Sequence, residues 1–327
     1  MLCLRYCLVG VSFLAAGAGS AQIATTTPYE AVSTPHPVDT TGQSQDIAIG
    51  SDGHNRMTVR VNVAGTGPYN FLVDTGADHT VVSSALANSL KLGPGARVSM
   101  FTIAGRHQVK TAALGDLQFS RKKIRNVNAA VLEQENLGAD GVLGIDSLRS
   151  QRVTFDFVKG MMTIVPSSSL EPAADMRDAV VVTGRLKAGR LVLTEARAGG
   201  KAVNVVIDTG SDVTLGNSAL RKRLLGSKRL MAVGPVVLQS VTGHYITGDL
   251  MTLDELQVGG VTIQKMSIVF TDAPIFRVLK LDQKPALLLG MNAIRAFDRV
   301  SIDFANRKFR VVLPERGEME NVQLAMR

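Results

Sequence analysis

The sequence predicts a mainly β protein folded as two small β-barrel-like lobes related by a pseudo-twofold axis, with a cleft between them. First, the tripeptide Asp-Thr-Gly occurs at Asp74-Thr75-Gly76 and again at Asp208-Thr209-Gly210, each time after an apolar run, Phe71-Leu72-Val73 and Val205-Val206-Ile207. Second, other landmarks recur in the same order: Ser84-Ala85-Leu86 with Ser218-Ala219-Leu220, Ala104-Gly105 with Thr242-Gly243, Ile124 with Ile263, Val142-Leu143-Gly144 with Leu288-Leu289-Gly290, Val153–Phe157 with Val300–Phe304, and Pro166 with Pro314. The two aspartates are 134 positions apart, too long a period for a solenoid or propeller blade, so the chain is a duplicated domain. Third, Met57, Val59, Val61 and Val63 alternate with polar residues, the period of a half-buried strand.

Residues 1–21 read as a secretory leader. Arg5 precedes an apolar stretch from Cys7 to Ala18, and Gly19-Ser20-Ala21 ends in the small residues a signal peptidase accepts. The apolar run is shorter than a bilayer span, and no later stretch is long and apolar enough to cross, so no stable membrane insertion is expected after cleavage. Export to the periplasm is expected, or secretion. Residues 22–55, rich in Thr, Pro, Ser and Gln, read as a disordered spacer or propeptide.

The first lobe spans 56–166. Its opening strand turns at Gly65-Thr66-Gly67-Pro68 and returns through Tyr69–Val73 to deliver Asp74. A helix with a serine N-cap is predicted over Ser84–Leu92, stopped by Gly93-Pro94-Gly95. Gly105 falls in a hairpin and a strand runs from Ile124 to Leu132. The lobe closes with Val153–Phe157 and Met161–Val165, joined through Lys159-Gly160. Residues 167–179 are a linker, 180–314 repeat the plan, and 315–327 form a tail.

Both cysteines, Cys3 and Cys7, lie in the leader, so the exported chain must be stabilised by its core rather than by disulfides. Thiol nucleophiles and thiolate metal sites are excluded with them. The five histidines are scattered without a His-Glu-x-x-His pair, and no Gly-x-Ser-x-Gly elbow is present, so no metal and no serine nucleophile is expected. The net charge of +8 falls to +7 when Arg5 leaves, which suits acidic partners and solubility equally. The basic runs Arg121-Lys122-Lys123 and Arg221-Lys222-Arg223 fall on a hairpin turn and a short helix, without aromatic interleaving, so no nucleic-acid partner is expected.

The duplicated motif supplies one carboxylate per half. Two carboxylates about 3 Å apart cannot both ionise at low cost, so the pair keeps one proton over a wide pH range. The charged member can take a proton from water while the protonated member hydrogen-bonds a carbonyl under attack, with no covalent intermediate. Glycine permits the tight loop that brings the carboxylates together.

On these residues the chain resembles the retropepsin-like (retroviral-type) aspartic proteases. The resemblance rests on Asp74-Thr75-Gly76-Ala77-Asp78, on Asp208-Thr209-Gly210-Ser211-Asp212, on Val142-Leu143-Gly144 and Leu288-Leu289-Gly290, and on the stretch from Ala139 to Asp146. It covers nearly everything from Arg56 to Pro314. It implies the aspartic protease fold, a polypeptide substrate, no cofactor, and a monomer whose halves form an internal pseudo-dimer. It makes Asp74 and Asp208 the catalytic pair, supported by Thr75, Gly76, Thr209, Gly210 and Ser211. Asp78 and Asp212 would contact substrate main chain or brace the loops. Hairpins at Ile103–His107 and Val241–Tyr245 would be flaps, with Gly105, Gly243 and Tyr245 near the peptide. Retroviral members place an arginine after the apolar-apolar-Gly motif; here Ile145 and Met291 stand there, with Arg149 and Arg295 as the nearest substitutes.

The third residue after each catalytic aspartate differs, Ala77 against Ser211. In the family a hydroxyl there bonds the outer carboxylate oxygen, so Asp208 is expected to be the charged member and Asp74 the protonated one. His79 and His107 fall near the cleft and a flap, and read as surface histidines. Asp140 reads as a turn residue. The leading expectation is an exported aspartic endopeptidase; the alternative is a catalytically silent peptide-binding or assembly protein on the same scaffold.

Overall fold

The computed structural model describes residues 57–119, 122–170, 179–226 and 229–314, with the backbone of five further short strands, Cys3–Arg5, Gly10–Val11, Gln45–Ala48, Gly50–Ser51 and Val322–Leu324. Most of the predicted leader, spacer, linker and tail lies outside the described residues.

Each lobe is a closed ring of strands. In the first, Met57–Val63 pairs antiparallel with Thr66–Val73, whose end runs parallel to Gly141–Leu143. That strand pairs with Val81–Ser83, which lies parallel to Lys122–Leu132, itself paired with Gly105–Phe119. Asn62 and Val63 meet Gln118 and Leu117 and close the ring. Closure removes the unpaired edges that a lobe of this size would otherwise expose. The alternating residues Met57, Val59, Val61 and Val63 line its buried interior.

The second lobe repeats the path. Arg190–Leu193 pairs with Asn204–Ile207, which runs parallel to Ala286–Leu289. The ring continues through Thr214–Gly216, Val261–Phe270 and Tyr245–Val258 to Ala196–Ala198.

The lobes share a six-stranded antiparallel sheet, in the order Gln45–Ala48, Met161–Pro166, Gln151–Asp156, Arg299–Asp303, Lys308–Val312, Ala179–Lys187. Its central pair consists of the two recurring Val-x-x-Asp-Phe segments. Thr154 lies opposite Ser301 at the pseudo-twofold centre and donates to it at 3.0 Å. Val153, Phe155, Val300 and Ile302 are buried on the core side. The aspartate of each segment ends its strand: Asp156 accepts the Lys159 N–H at 2.9 Å and Asp303 the Asn306 N–H at 2.9 Å.

Two expectations change. The first helix is Ser84–Ser89, capped by Ser83, whose hydroxyl accepts the Leu86 N–H at 3.1 Å. Pro94-Gly95 is not a helix stop but the start of the strand Pro94–Thr102. A proline at a strand start forfeits no ladder donor, and a Cβ on Gly95 would strike Thr111 across the hairpin. The leader was expected to stand apart, yet its backbone pairs at Cys3–Arg5 with Val237–Gln239 and at Gly10–Val11 with Phe101 and Met100. Open strand edges with unpaired N–H and C=O groups are templates for such addition.

Candidate active site

Each Asp-Thr-Gly leaves the end of a central strand and is held by the apolar-apolar-Gly segment beside it. Asp74 N–H donates to the Leu143 carbonyl and Asp208 N–H to the Leu289 carbonyl, both at 3.1 Å. The next residue must be glycine. A Cβ on Gly144 would lie 2.6 Å from the His79 carbonyl carbon, and one on Gly290 2.5 Å from the Val213 carbonyl. The two recurring motifs are thus one packing unit in each lobe.

The threonines interlock across the pseudo-twofold. Thr209 Oγ1 accepts the Thr75 N–H at 3.0 Å and donates to the Val73 carbonyl at 2.7 Å. Thr75 Oγ1 accepts the Thr209 N–H at 3.1 Å and donates to the Ile207 carbonyl at 3.1 Å. Both side chains are buried, so every one of these groups would be costly to leave unpaired.

Above this cross-link Asp74 and Asp208 converge, 0% and 1% exposed. A Cβ on Gly76 would lie 2.5 Å from Asp208 Oδ1, and one on Gly210 would strike the Asp74 carboxyl group. Asp74 Oδ1 accepts two backbone N–H groups, from Gly76 at 2.7 Å and Ala77 at 3.1 Å. Asp208 Oδ1 accepts one, from Gly210 at 3.1 Å. Burial holds the Asp208 carboxyl well above the ordinary carboxylate range, the adjacent Asp74 raises it further, and Arg190 opposes both.

The hydroxyl expected to favour a charged Asp208 does not reach that carboxylate. Ser211 Oγ donates to the Val213 carbonyl at 2.8 Å and not to the carboxylate. The hydroxyl is committed to its own loop, because that carbonyl is buried where Gly290 passes. Burial and Asp74 favour the protonated form of Asp208, the two donors on one oxygen favour the charged form of Asp74, and the pair titrates as one unit. Ser211→Ala should leave both limbs of a pH–rate profile in place while lowering stability by about 1–3 kcal/mol, the cost of an unsatisfied buried carbonyl. A displaced limb in the folded variant would restore the hydroxyl to the carboxylate.

Asp78 has an arginine partner, but neither Arg149 nor Arg295 takes that place. Arg190, 1% exposed, reaches from the first hairpin of the second lobe into the first lobe. Its Nη1 pairs with Asp78 Oδ1 at 3.0 Å, and its Nε and Nη2 donate to the Gly76 carbonyl at 3.0 and 2.6 Å. Burial nonetheless raises the Asp78 carboxyl, with Arg190 the largest opposing influence and Arg149 a minor one. Arg295 lies over the Phe157 ring at 5.3 Å. The sequence did hold a signal: at the 134-residue spacing of the aspartates, Arg190 stands where the first half has Arg56.

A second missed pair braces the loops from behind. Asp146 accepts from Thr80 N–H at 3.1 Å and Thr80 Oγ1 at 3.2 Å, and Asn292 accepts the same two donors of Thr214 at 2.9 Å each. Thr80 and Thr214 share the spacing of the aspartates, and Asp146 and Asn292 that of the apolar-apolar-Gly motifs. His79 pairs with Asp146 at 3.4 Å, and Asp140 accepts the Asn70 N–H at 2.8 Å, a turn brace. Asp212 follows the Ser211 loop, its carbonyl accepting the Asn292 N–H at 3.0 Å.

The two flap hairpins cross. The first joins Pro94–Thr102 to Gly105–Phe119 and the second Leu230–Gln239 to Tyr245–Val258. Gly105 and Gly243 take φ of +128° and +80° at the turns. Ile103, 1% exposed, is buried in a cluster otherwise made of second-lobe residues, among them Val192, Val206, Val213 and Ile275. Val241, 0% exposed, lies in the corresponding first-lobe cluster with Leu72, Ala77, Val81 and Leu137. Gln239 Nε2 also donates to Asn136 Oδ1 of the first lobe at 2.9 Å. Tyr245 is 59% exposed, so the aliphatic tips rather than this ring are buried against the opposite lobes.

Compared with protein families, residues 59–150 match the family described as gag-polyprotein putative aspartyl protease, and residues 194–293 the family described as aspartyl protease. Each match contains one Asp-Thr-Gly and one apolar-apolar-Gly motif. A search of curated proteins returned no match.

Proposed function

Because the chain belongs to the retropepsin-like aspartic proteases and carries two of their domains in tandem, we propose that it is an exported aspartic endopeptidase acting on extended polypeptide segments. The carrying observation is the buried carboxylate pair, one member with two backbone donors and the other raised by burial and by its neighbour. In this reading Asp74 takes a proton from water as its oxygen attacks the peptide carbonyl carbon. Asp208 gives its proton to the carbonyl oxygen, forming a neutral gem-diol. Collapse returns a proton to the amide nitrogen, and the C–N bond breaks. No metal or cofactor takes part.

The cleft would hold about six to eight residues as an added strand. Open edges on the flap strands support this, since each already accepts a short extended segment at Val237–Gln239 and Met100–Phe101. The apolar clusters that receive Ile103 and Val241 support a preference for aliphatic side chains flanking the cleaved bond. Export is supported by the composition of residues 1–21. Incubating the protein with a diverse peptide library, with and without pepstatin, tests the reading: pepstatin-sensitive internal cleavage is expected, and its absence across pH 3–7, where about one proton per dyad is retained, would overturn it.

Both halves lie in one chain, so activity per mole should stay constant on dilution. Rates measured over a wide concentration range check this. A steep fall would mean that the working site forms between chains.

A further inference from the structure

The two flap tips are joined by more than their aliphatic plugs. His107, on the return strand of the first hairpin, stacks on His244 at the tip of the second, ring centroids 3.8 Å apart and planes 25° from parallel. His107 Nε2 is buried and has no hydrogen-bond partner, while its ring also bonds the Ala104 backbone. His244 Nδ1 lies 3.1 Å from Thr242 Oγ1. From these contacts the geometry points to an acid-opened clasp: His107 and His244 hold the two flaps closed over the carboxylates while both rings are neutral, and release them when the rings are protonated. Its regulatory meaning rests on the reading of the cleft as a peptide-hydrolysing site; the clasp itself does not.

The physical case is direct. Two neutral imidazoles stack favourably, whereas two imidazolium ions at this separation repel. A proton on His107 Nε2 would also be held at a buried atom that nothing accepts from. The other charged groups on the packed elements are otherwise engaged or do not act on the ring. Arg106 donates to Ser99 Oγ at 2.8 Å and lies over Phe101; Glu133 accepts from Ser84 at 2.6 Å; Asp249 pairs with Arg221 at 2.6 Å. Lys110 of the same strand, Glu135 beside Asn136 and Arg277 of the helix Pro274–Val278, which packs on the first flap, exert no resolved effect on His107. Burial lowers the basicity of His107 and His244 lowers it further.

The sign follows from linkage. A histidine less basic in the closed form favours closure above the ordinary imidazole value, and that contribution is lost as pH falls below about 6.5. Opening must then withdraw Ile103 and Val241 from the opposite lobes, which exposes the apolar clusters to substrate. The resting molecule is therefore occluded at neutral pH and accessible in acid.

Hydrogen exchange read by mass spectrometry on the full chain tests the clasp without any substrate. After correction for intrinsic pH dependence, residues 99–110 and 237–248 should exchange faster at pH 5 than at pH 7.5, by about tenfold. The strands of the shared sheet should not change. His107→Gln with His244→Gln should abolish the difference, and His244→Gln alone, at an exposed position, should reduce it if the double variant fails to fold. Equal exchange at both pH values in the parent protein, or an undiminished difference in a folded variant, overturns the clasp. Exchange that follows the pattern without hydrolysis would leave the clasp standing and remove the protease reading instead.

Discussion

Asp74→Asn abolishes peptide hydrolysis, by about 10⁴-fold or more, while the protein stays folded. The amide cannot take the proton of the attacking water, and no neighbouring group stands in for it. Its Oδ1 still accepts the Gly76 and Ala77 N–H groups, so the loop is retained. The same substitution has a thermodynamic consequence. The Asp208 carboxyl is raised in the folded state by burial and by Asp74. A raised carboxyl favours folding below the unfolded value, about pH 4, and that contribution is lost as pH rises through the folded value. At neutral pH the pair therefore costs stability, and removing one charge relieves part of it. The variant should melt no lower than the parent at pH 7, with the advantage shrinking toward pH 3. Cleavage assays and melts across pH check both halves. Parent-level cleavage by the folded variant would exclude Asp74 as the base. A peptide-binding protein on this scaffold would show no cleavage in either form and unaltered peptide affinity.

Arg190→Met removes about 3–5 kcal/mol of stability, the cost of stranding a buried partner of an ion pair. Methionine fills much of the volume but leaves Asp78 and the Gly76 carbonyl without the donors that Arg190 supplies. It also withdraws the cation that holds the Asp208 carboxyl down, so the alkaline limb of the activity profile should move to higher pH. Arg190→Lys keeps the charge and loses the planar fork, so it should retain the pH profile better than the stability. Denaturant unfolding with pH–rate measurements separates the two effects. A stability loss under about 1 kcal/mol for the methionine variant would show that the Gly76–Asp78 loop is held by other contacts.

Much of this architecture was legible in the chain. Period-two alternation from Met57 to Val63 fixes which side chains enter the barrel, because strand side chains point alternately to opposite faces. The recurring Val-x-x-Asp-Phe segments mark a structural repeat because each aspartate caps the turn that ends its own strand. Helix bounds were less legible: Ser83 rather than Ser84 caps the first helix, and Pro94 opens a strand, since either serine satisfies the same local rule.

By itself the sequence determined the duplication, the strand faces and the meeting of two Asp-Thr-Gly loops over obligatory glycines. These follow from local periodicity and from backbone approaches that exclude any Cβ. Only the tertiary structure decided that Ser211 serves Val213, that Arg190 crosses to Gly76 and Asp78, and that His107 and His244 stack where the flap tips exchange lobes. The physical reason is separation. Arg190 and Gly76 are 114 positions apart, and a bond at that range depends on how two barrels sit against one another, which no local pattern of residues encodes.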